Sequence, residues 1–242
     1  MNKRQLGKTD IKLTAIGFGG APLGDLFEKL DEPNCYEVLE NCYNANINIY
    51  DTSPLYGYGL SEHRLGNFLK TVSEDSYYIS TKVGRFLTPE KESNIDRGIF
   101  AGGLNFSPNL DYSYDGVMRS FEQSLIRLAV SKIDICLIHD VDRFNLGDEV
   151  DYYFKLAMNG AYKALLKLKE EKVIKALGVG VNDSDICLKF AQAGDFDCML
   201  LAGRYSLLDQ KALNDFFPIA EKNNIGIILA GIFNSGILAK GI

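Results

Sequence analysis

Only two histidines, His63 and His139, occur in 242 residues, and no Cys/His cluster surrounds either. Structural and catalytic zinc sites need such clusters, so no metal site is expected. The five cysteines, Cys35, Cys42, Cys136, Cys187 and Cys198, are odd in number, scattered and without a CxxC pair. They read as free thiols of a reducing compartment. Basic residues are outnumbered, 26 Lys and Arg against 32 Asp and Glu, for a net charge of −6. Nucleic acids and anionic membranes attract clustered cations. The one basic cluster, Lys167-Leu168-Lys169-Glu170-Glu171-Lys172, is interleaved with acid and reads as a solvated helix face. The start, Met1-Asn2-Lys3-Arg4-Gln5-Leu6-Gly7-Lys8, has no apolar signal-peptide core. No apolar run reaches membrane-spanning length. A cytoplasmic protein with no nucleic-acid or membrane partner is expected. A dinucleotide fingerprint is also lacking. Gly17-Phe18-Gly19-Gly20 meets Pro22 where the third glycine belongs, and Gly178-Val179-Gly180 meets Asp183.

What is present is a regular alternation of short apolar runs with helically spaced ones. Residues 4–6 and 11–13 flank Gly7-Lys8-Thr9-Asp10 and predict a hairpin. Strands are predicted over 14–19, 47–50, 77–81, 133–138, 173–181, 199–202 and 225–230. Helices are predicted over 33–44, 61–69 with Ser61 as N-cap, 115–128, 152–172, 183–193 with Asp183 as cap, and 208–223. Residues 83–112, rich in Gly, Asn and Asp, predict a long functional loop. Tyr112, Tyr114 and Phe106 read there as lid aromatics or as simple packing. Near-continuously apolar strands joined by helices mean parallel βαβ units. A doubly wound sheet and a closed barrel both fit. The missing fingerprint and the hairpin, placed to plug one end, favour an α/β (β/α)8 TIM barrel as one domain over 1–242. Seven barrel strands are counted, so the last βα unit is expected to be absent from the chain.

Polar residues close four successive runs: Asp51 and Tyr56 after the second, Lys82 after the third, His139 after the fourth and Asn182 after the fifth. Parallel barrel strands all point one way, so these side chains are expected to converge on one rim. A phenol titrates near pH ~10 and is a poor acid or base at neutrality unless tuned. An ammonium at Lys82 would lower that value, and Asp51 would hold the ammonium charged and in place. His139 could orient a substrate oxygen, and Asp140 could orient His139 or a loop backbone. The set suits proton movement at a carbonyl or carbinol oxygen. The chain has no hydride store of its own, so redox chemistry would require a nicotinamide.

Tyr50-Asp51-Thr52-Ser53-Pro54-Leu55-Tyr56-Gly57 with Ser61-Glu62, Ser80-Thr81-Lys82 and Leu137-Ile138-His139 together resemble the signature of the aldo-keto reductases. The resemblance implies a barrel that binds NAD or NADP without a Rossmann domain. It also implies Asp51, Tyr56, Lys82 and His139 as catalytic residues, with Tyr56 and His139 meeting the substrate. Gly20, Ala21, Asp51, Asn182, Gly231, Phe233, Asn234, Ser235 and Gly236 are the implied cofactor contacts. Further stretches, Arg119-Ser120-Phe121-Glu122-Gln123-Ser124-Leu125 and Leu200-Leu201-Ala202-Gly203-Arg204-Tyr205 among them, resemble the aldose dehydrogenase branch. That branch implies oxidation of a sugar hemiacetal to its lactone, in carbohydrate metabolism. The alternatives are a carbonyl reductase acting on an aldehyde or ketone, and a non-catalytic NAD(P)-sensing subunit. The expected partner is a small sugar or aldehyde, and the expected state a monomer or weak homo-oligomer. Ala202 and Gly231 stand where many family members carry a Gln and an aromatic.

Overall fold

The computed structural model describes residues 1–234 and Ile237. An antiparallel hairpin pairs β1 (Lys3–Gln5) with β2 (Lys12–Thr14). The chain then runs through β3 (Phe18–Gly19), α1 (Glu32–Asn44), β4 (Ile49–Asp51), α2 (Leu60–Leu69) and β5 (Tyr78–Val83). A second antiparallel pair, β6 (Arg85–Pro89) with β7 (Phe106–Leu110), interrupts the alternation. It resumes with α3 (Tyr114–Leu128), β8 (Ile135–His139), α4 (Arg143–Leu146), α5 (Val150–Asn159), α6 (Ala161–Glu170) and β9 (Ala176–Val181). The remaining elements are α7 (Ser184–Ala193), β10 (Cys198–Ala202), α8 (Ala212–Asp215), α9 (Phe217–Lys222) and β11 (Gly226–Ala230). Seven parallel strands form one sheet in the order β11-β10-β9-β8-β5-β4-β3. The sheet is nearly closed and of the (β/α)8 barrel type. Among the described residues, no helix is long and apolar enough to cross a membrane.

Apolar runs with no polar alternation have two buried faces to fill, and both are visible. Successive side chains of a strand point to opposite faces. Ile49, Ile135, Leu137, Ala176, Cys198 and Leu200 cluster inside the barrel with Leu6, Ile11 and Leu13 of the hairpin region, which plugs the bottom. Tyr50, Ile79, Cys136, Ile138, Leu177, Val179, Met199 and Leu201 belong to the other core, shared with the helices. Asn48 ties plug to barrel: its amide oxygen accepts from Thr14 N at 2.8 Å and its Nδ2 donates to Lys12 O at 2.9 Å.

Four expectations need correction. Segment 83–112 is not one open loop: it contains the β6–β7 pair, which Gln123 of α3 clamps by bonding both the amide and the carbonyl of Leu87, with a long connection between the two strands. Ser61 does not cap α2. The cap is Gly59 at φ 96°, and the Ser61 hydroxyl turns inward to Gly20 O at 2.7 Å and Thr52 Oγ1 at 2.8 Å. The helix predicted over 152–172 is two helices meeting at Gly160. A Cβ there would sit 2.2 Å from Tyr112 O, so the close backbone approach and not helix propensity decides the break. The helix predicted over 208–223 is reduced to α8 and α9. Pro218 lacks the N–H that would bond Asn214 O, and the helix parts just before it.

Gly160→Ala is expected to cost about 1–3 kcal/mol through this overpacking. The midpoint of a denaturant titration, compared with wild type at unchanged slope, measures it.

Candidate active site

The end of β4 sets the first side chain. Asp51 pairs with Ser80 in register, and its Oδ1 accepts from Ser80 Oγ at 2.7 Å. Two residues beyond Ser80 on β5, Lys82 lies 1% exposed. Its Nζ donates to Asp51 Oδ2 at 2.6 Å and to Thr52 O at 2.7 Å. Gly180 of β9 lies alongside: a Cβ on it would stand 3.5 Å from Lys82 Cε. Burial works against the Lys82 ammonium, but Asp51 and the Tyr56 phenol outweigh it and hold its pKa above the ordinary value. The lysine is therefore charged, fixed and out of water.

Tyr56 reaches this ammonium from the turn that follows β4. Ser53 organises that turn: its Oγ accepts from Leu55 N at 3.1 Å, and its carbonyl accepts from Tyr56 N at 3.1 Å. Gly57 then takes φ 60°, and its α-carbon lies so close to Gly24 that a Cβ would sit 2.5 Å from Gly24 O. Lys82 Nζ stands 4.6 Å from the Tyr56 ring centroid. Burial pushes the phenol pKa up and the nearby ammonium draws it down; burial wins. The expected lowering by Lys82 is thus present but does not set the net direction. Phe100, from the segment joining β6 to β7, packs on Tyr56 with centroids 6.5 Å apart and forms an apolar wall.

His139 closes β8, next to β5 in the sheet. Its ring stands edge-to-face to Tyr56, at 6.0 Å and 82°. Its Nδ1 is 3.2 Å from Ser53 Oγ, its Nε2 is 3.3 Å from Asp140 Oδ1, and its carbonyl accepts from Tyr112 OH at 2.5 Å. Burial, with Lys82 and Arg85 close by, drives the imidazole pKa well below its usual value. With the imidazole neutral, the His139–Asp140 contact is not an ion pair. Asp51, Tyr56, Lys82 and His139 thus come together at the ends of three adjacent strands.

A cleft of about 270 Å³ opens beside them, lined by Phe144, Asn182, Ala202, Gly203, Arg204, Gly231 and Asn234. Asn182 follows β9, and its Nδ2 is 3.2 Å from Asp142 Oδ2. A carboxylate can only accept, so the amide oxygen of Asn182 faces away from Asp142. That oxygen has no hydrogen-bond partner among the described residues and suits the amide of a nicotinamide. Phe233 is exposed at 57% beyond Gly231. Gly20 has both backbone groups engaged, its amide by Asp51 O and its carbonyl by Ser61 Oγ and Leu23 N. Ala21 follows it and opens the turn Pro22–Gly24. Ser235 and Gly236 lie outside the described residues.

Ser53, Arg85 and Phe100 also belong to the site, and no local sequence pattern marks them. Glu62, fully buried behind Lys82, accepts from Thr81 Oγ1 at 2.8 Å and Arg127 Nε at 2.6 Å. Ser61-Glu62 was visible as a motif, but its buried partners lie on β5 and α3. Tyr112 is packing with a purpose, 1% exposed beneath His139, whereas Tyr114 sits on the surface of α3 at 41%. Phe106 is half-buried in β7.

A barrel whose strand ends gather a phenol, an ammonium, a carboxylate and an imidazole is built for proton movement at an oxygen, and the cleft beside it suits a nicotinamide. The model of the aldo/keto reductase family matches residues 15–242. A pyridoxal 4-dehydrogenase of Microbacterium luteolum is 42% identical over 98% of this chain and 72% of its own length. A D-threo-aldose 1-dehydrogenase of a Pseudomonas species is 38% identical over 95% of this chain and 69% of its own. Among solved structures, the holo form of an aldo-keto reductase from Bacillus halodurans superposes with a TM-score of 0.76. It is 24% identical, over 99% of this chain and 69% of that one, and so speaks to the fold. The chain belongs to the aldo/keto reductase family and is an NAD(P)-dependent oxidoreductase.

Lys82→Met should cost about 3–5 kcal/mol, since it leaves Asp51 without its buried partner. Asp51→Asn combined with Lys82→Met should recover most of that loss. A double-mutant cycle on urea-unfolding free energies tests this, and simple additivity of the two substitutions would refute it.

Proposed function

We propose that the chain is an aldose 1-dehydrogenase, one barrel domain over 1–242, oxidising the hemiacetal carbon of a small sugar to a lactone. The observation that carries the reading is the stack of Asp51, Lys82 and Tyr56: an ammonium 2.6 Å from its carboxylate and 4.6 Å from the centre of a phenol ring. The substrate class draws on the relatives. An aldose and pyridoxal share one feature, an aldehyde that closes on an internal hydroxyl to give a cyclic hemiacetal.

In this reading Tyr56 takes the proton of the anomeric hydroxyl. Lys82 stabilises the phenolate that must precede that step, and Asp51 keeps Lys82 fixed and charged. His139, neutral, orients the same substrate oxygen by a hydrogen bond. Phe100 and the Tyr56 ring give the sugar an apolar face and help exclude water. Bound NAD(P) supplies the acceptor for the hydride that leaves C1. Asn182, Gly231 and Asn234 would hold it, with Phe233 and Ala21 at the margins and Gly20 and Asp51 shaping the strand ends beneath; Ser235 and Gly236 are proposed as further contacts. The cytoplasm and a monomer or weak homo-oligomer complete the proposal; the five free cysteines support the first.

One observation favours a second reading, reduction of an aldehyde or ketone. Burial leaves the Tyr56 phenol protonated in the resting site. A protonated phenol donates, as reduction requires, whereas oxidation requires the phenolate.

Incubation with L-fucose, D-arabinose, L-galactose and pyridoxal, with NAD+ or NADP+, should produce nicotinamide absorbance for at least one sugar. Tyr56→Phe should lower that rate by about 10²–10⁴-fold. Turnover that survives in Tyr56→Phe, or none with any sugar, would sink the proposal. Because the phenol pKa is raised, kcat/KM for oxidation should climb with pH through the alkaline range, while carbonyl reduction should fall there. An oxidation rate flat from neutral to alkaline pH would show that Tyr56 is not the base.

A further inference from the structure

Asp142 follows closely on His139 at the end of β8 and is fully buried. Burying a carboxylate is costly unless hydrogen bonds replace the lost water. Among the described residues Asp142 makes no ion pair, and N–H donors from two asparagines satisfy it instead. Oδ1 accepts from Asn145 N at 2.9 Å and from Asn145 Nδ2 at 2.8 Å, which caps α4. Oδ2 accepts from Asn182 N at 2.7 Å and from Asn182 Nδ2 at 3.2 Å. One oxygen thus serves the start of α4 and the other the end of β9.

Both elements border the cleft: α4 brings Phe144 to it, and β9 leads into Asn182. Asn182 is also held from a third side by Arg204, whose Nε donates to its carbonyl at 3.1 Å. The two ends of an asparagine amide are nearly the same in shape, so packing alone does not choose which one faces a ligand. Hydrogen bonding does. With the amide of Asn182 reversed, its oxygen would face the Asp142 carboxylate, two acceptors with no hydrogen between them. The shorter bond from Asn182 N to the same Oδ2 keeps the carboxylate where it enforces this choice.

We infer that Asp142 is a positioning residue for the nicotinamide nucleotide. It orients Asn182 so that the amide oxygen, and not the NH₂, is offered to the ligand, and through α4 it sets Phe144 at the same cleft. The ligand half rests on the proposed function; the hold on Asn182 does not.

Asp142→Ser separates the two duties of the carboxylate. Serine is a good N-cap and can still serve Asn145 N, so α4 and the fold should be kept. Its shorter side chain gives up Asn182. Hydrogen exchange of the ligand-free protein reads the hold directly. The Asn182 amide should be protected in the wild type and exchange about tenfold faster in Asp142→Ser, with the amides of β8 unchanged. An Asn182 amide as unprotected in the wild type as an exposed one overturns the inference with no variant needed. Protection that survives Asp142→Ser overturns it as well. Calorimetry with NAD+ and with ADP-ribose, which lacks the nicotinamide, reads the ligand half. Asp142→Ser should weaken NAD+ by about two- to tenfold, the worth of one hydrogen bond, and leave ADP-ribose unchanged. Equal weakening of both would mean that the cleft has merely loosened and would overturn the positioning role. Asn182→Ala is the control. If it leaves the affinity for NAD+ unchanged, the nicotinamide does not meet Asn182, and the ligand half falls together with that part of the proposed function. The exchange result decides the hold on Asn182 in either case.

Discussion

The buried contact between Asp51 and Lys82 is the constraint on which the upper end of this barrel depends. Removing an ammonium from water costs several kcal/mol, and only close, well-directed acceptors offset it. Here they are a carboxylate oxygen at 2.6 Å and a main-chain carbonyl at 2.7 Å, both supplied by the end of β4. That end must stay in register with β5, which the Ser80–Asp51 pairing secures. Gly180 of β9 lies against the methylenes of the lysine, where a Cβ would stand at ordinary contact distance. Tyr56 can lie against the ammonium because the tight Gly57–Gly24 approach folds the turn over it.

The two ends of the barrel solve opposite problems. At the bottom, Leu6, Ile11 and Leu13 fill the interior and exclude water with apolar surface alone. At the top, the interior is filled by paired charges and by an imidazole made neutral by its surroundings. Glu62, Thr81 and Arg127 extend the polar pairing outward, tying α2, β5 and α3 together behind Lys82. The polar end is therefore held from outside the barrel as well as from within.

Much of this was legible in the sequence, and the limits have physical causes. Apolar runs ending in Asp51, Lys82 and His139 located three strand ends, because doubly buried strands carry no competing pattern. The hairpin was legible from Gly7 and its flanking runs. The break at Gly160 was not, because it depends on the carbonyl of Tyr112, distant in sequence. The β6–β7 pair was hidden by the composition of residues 83–112: Gly, Asn and Asp read as loop, and the clamp that orders the pair, Gln123, belongs to a helix. Ser61 was misread as a cap because a hydroxyl at a helix start has two uses, and only the fold shows that Gly20 and Thr52 claim it. Asp51 and Tyr56 were found by type and position. Arg85 and Ser53 act on His139 from separate segments, and no local pattern announces that.

The β6–β7 excursion has a consequence for how such an enzyme could diversify. One inserted segment carries both Phe100, which forms a wall of the substrate space, and Arg85, which reaches the carboxylate beside His139. Loops that only line a pocket can be exchanged between relatives with the chemistry left alone. This segment cannot be exchanged in that way, since a new wall arrives with a new neighbour for Asp140. Selection for a different substrate would act on the pocket and on the imidazole together, and residues 85, 100 and 140 would be inherited as a set.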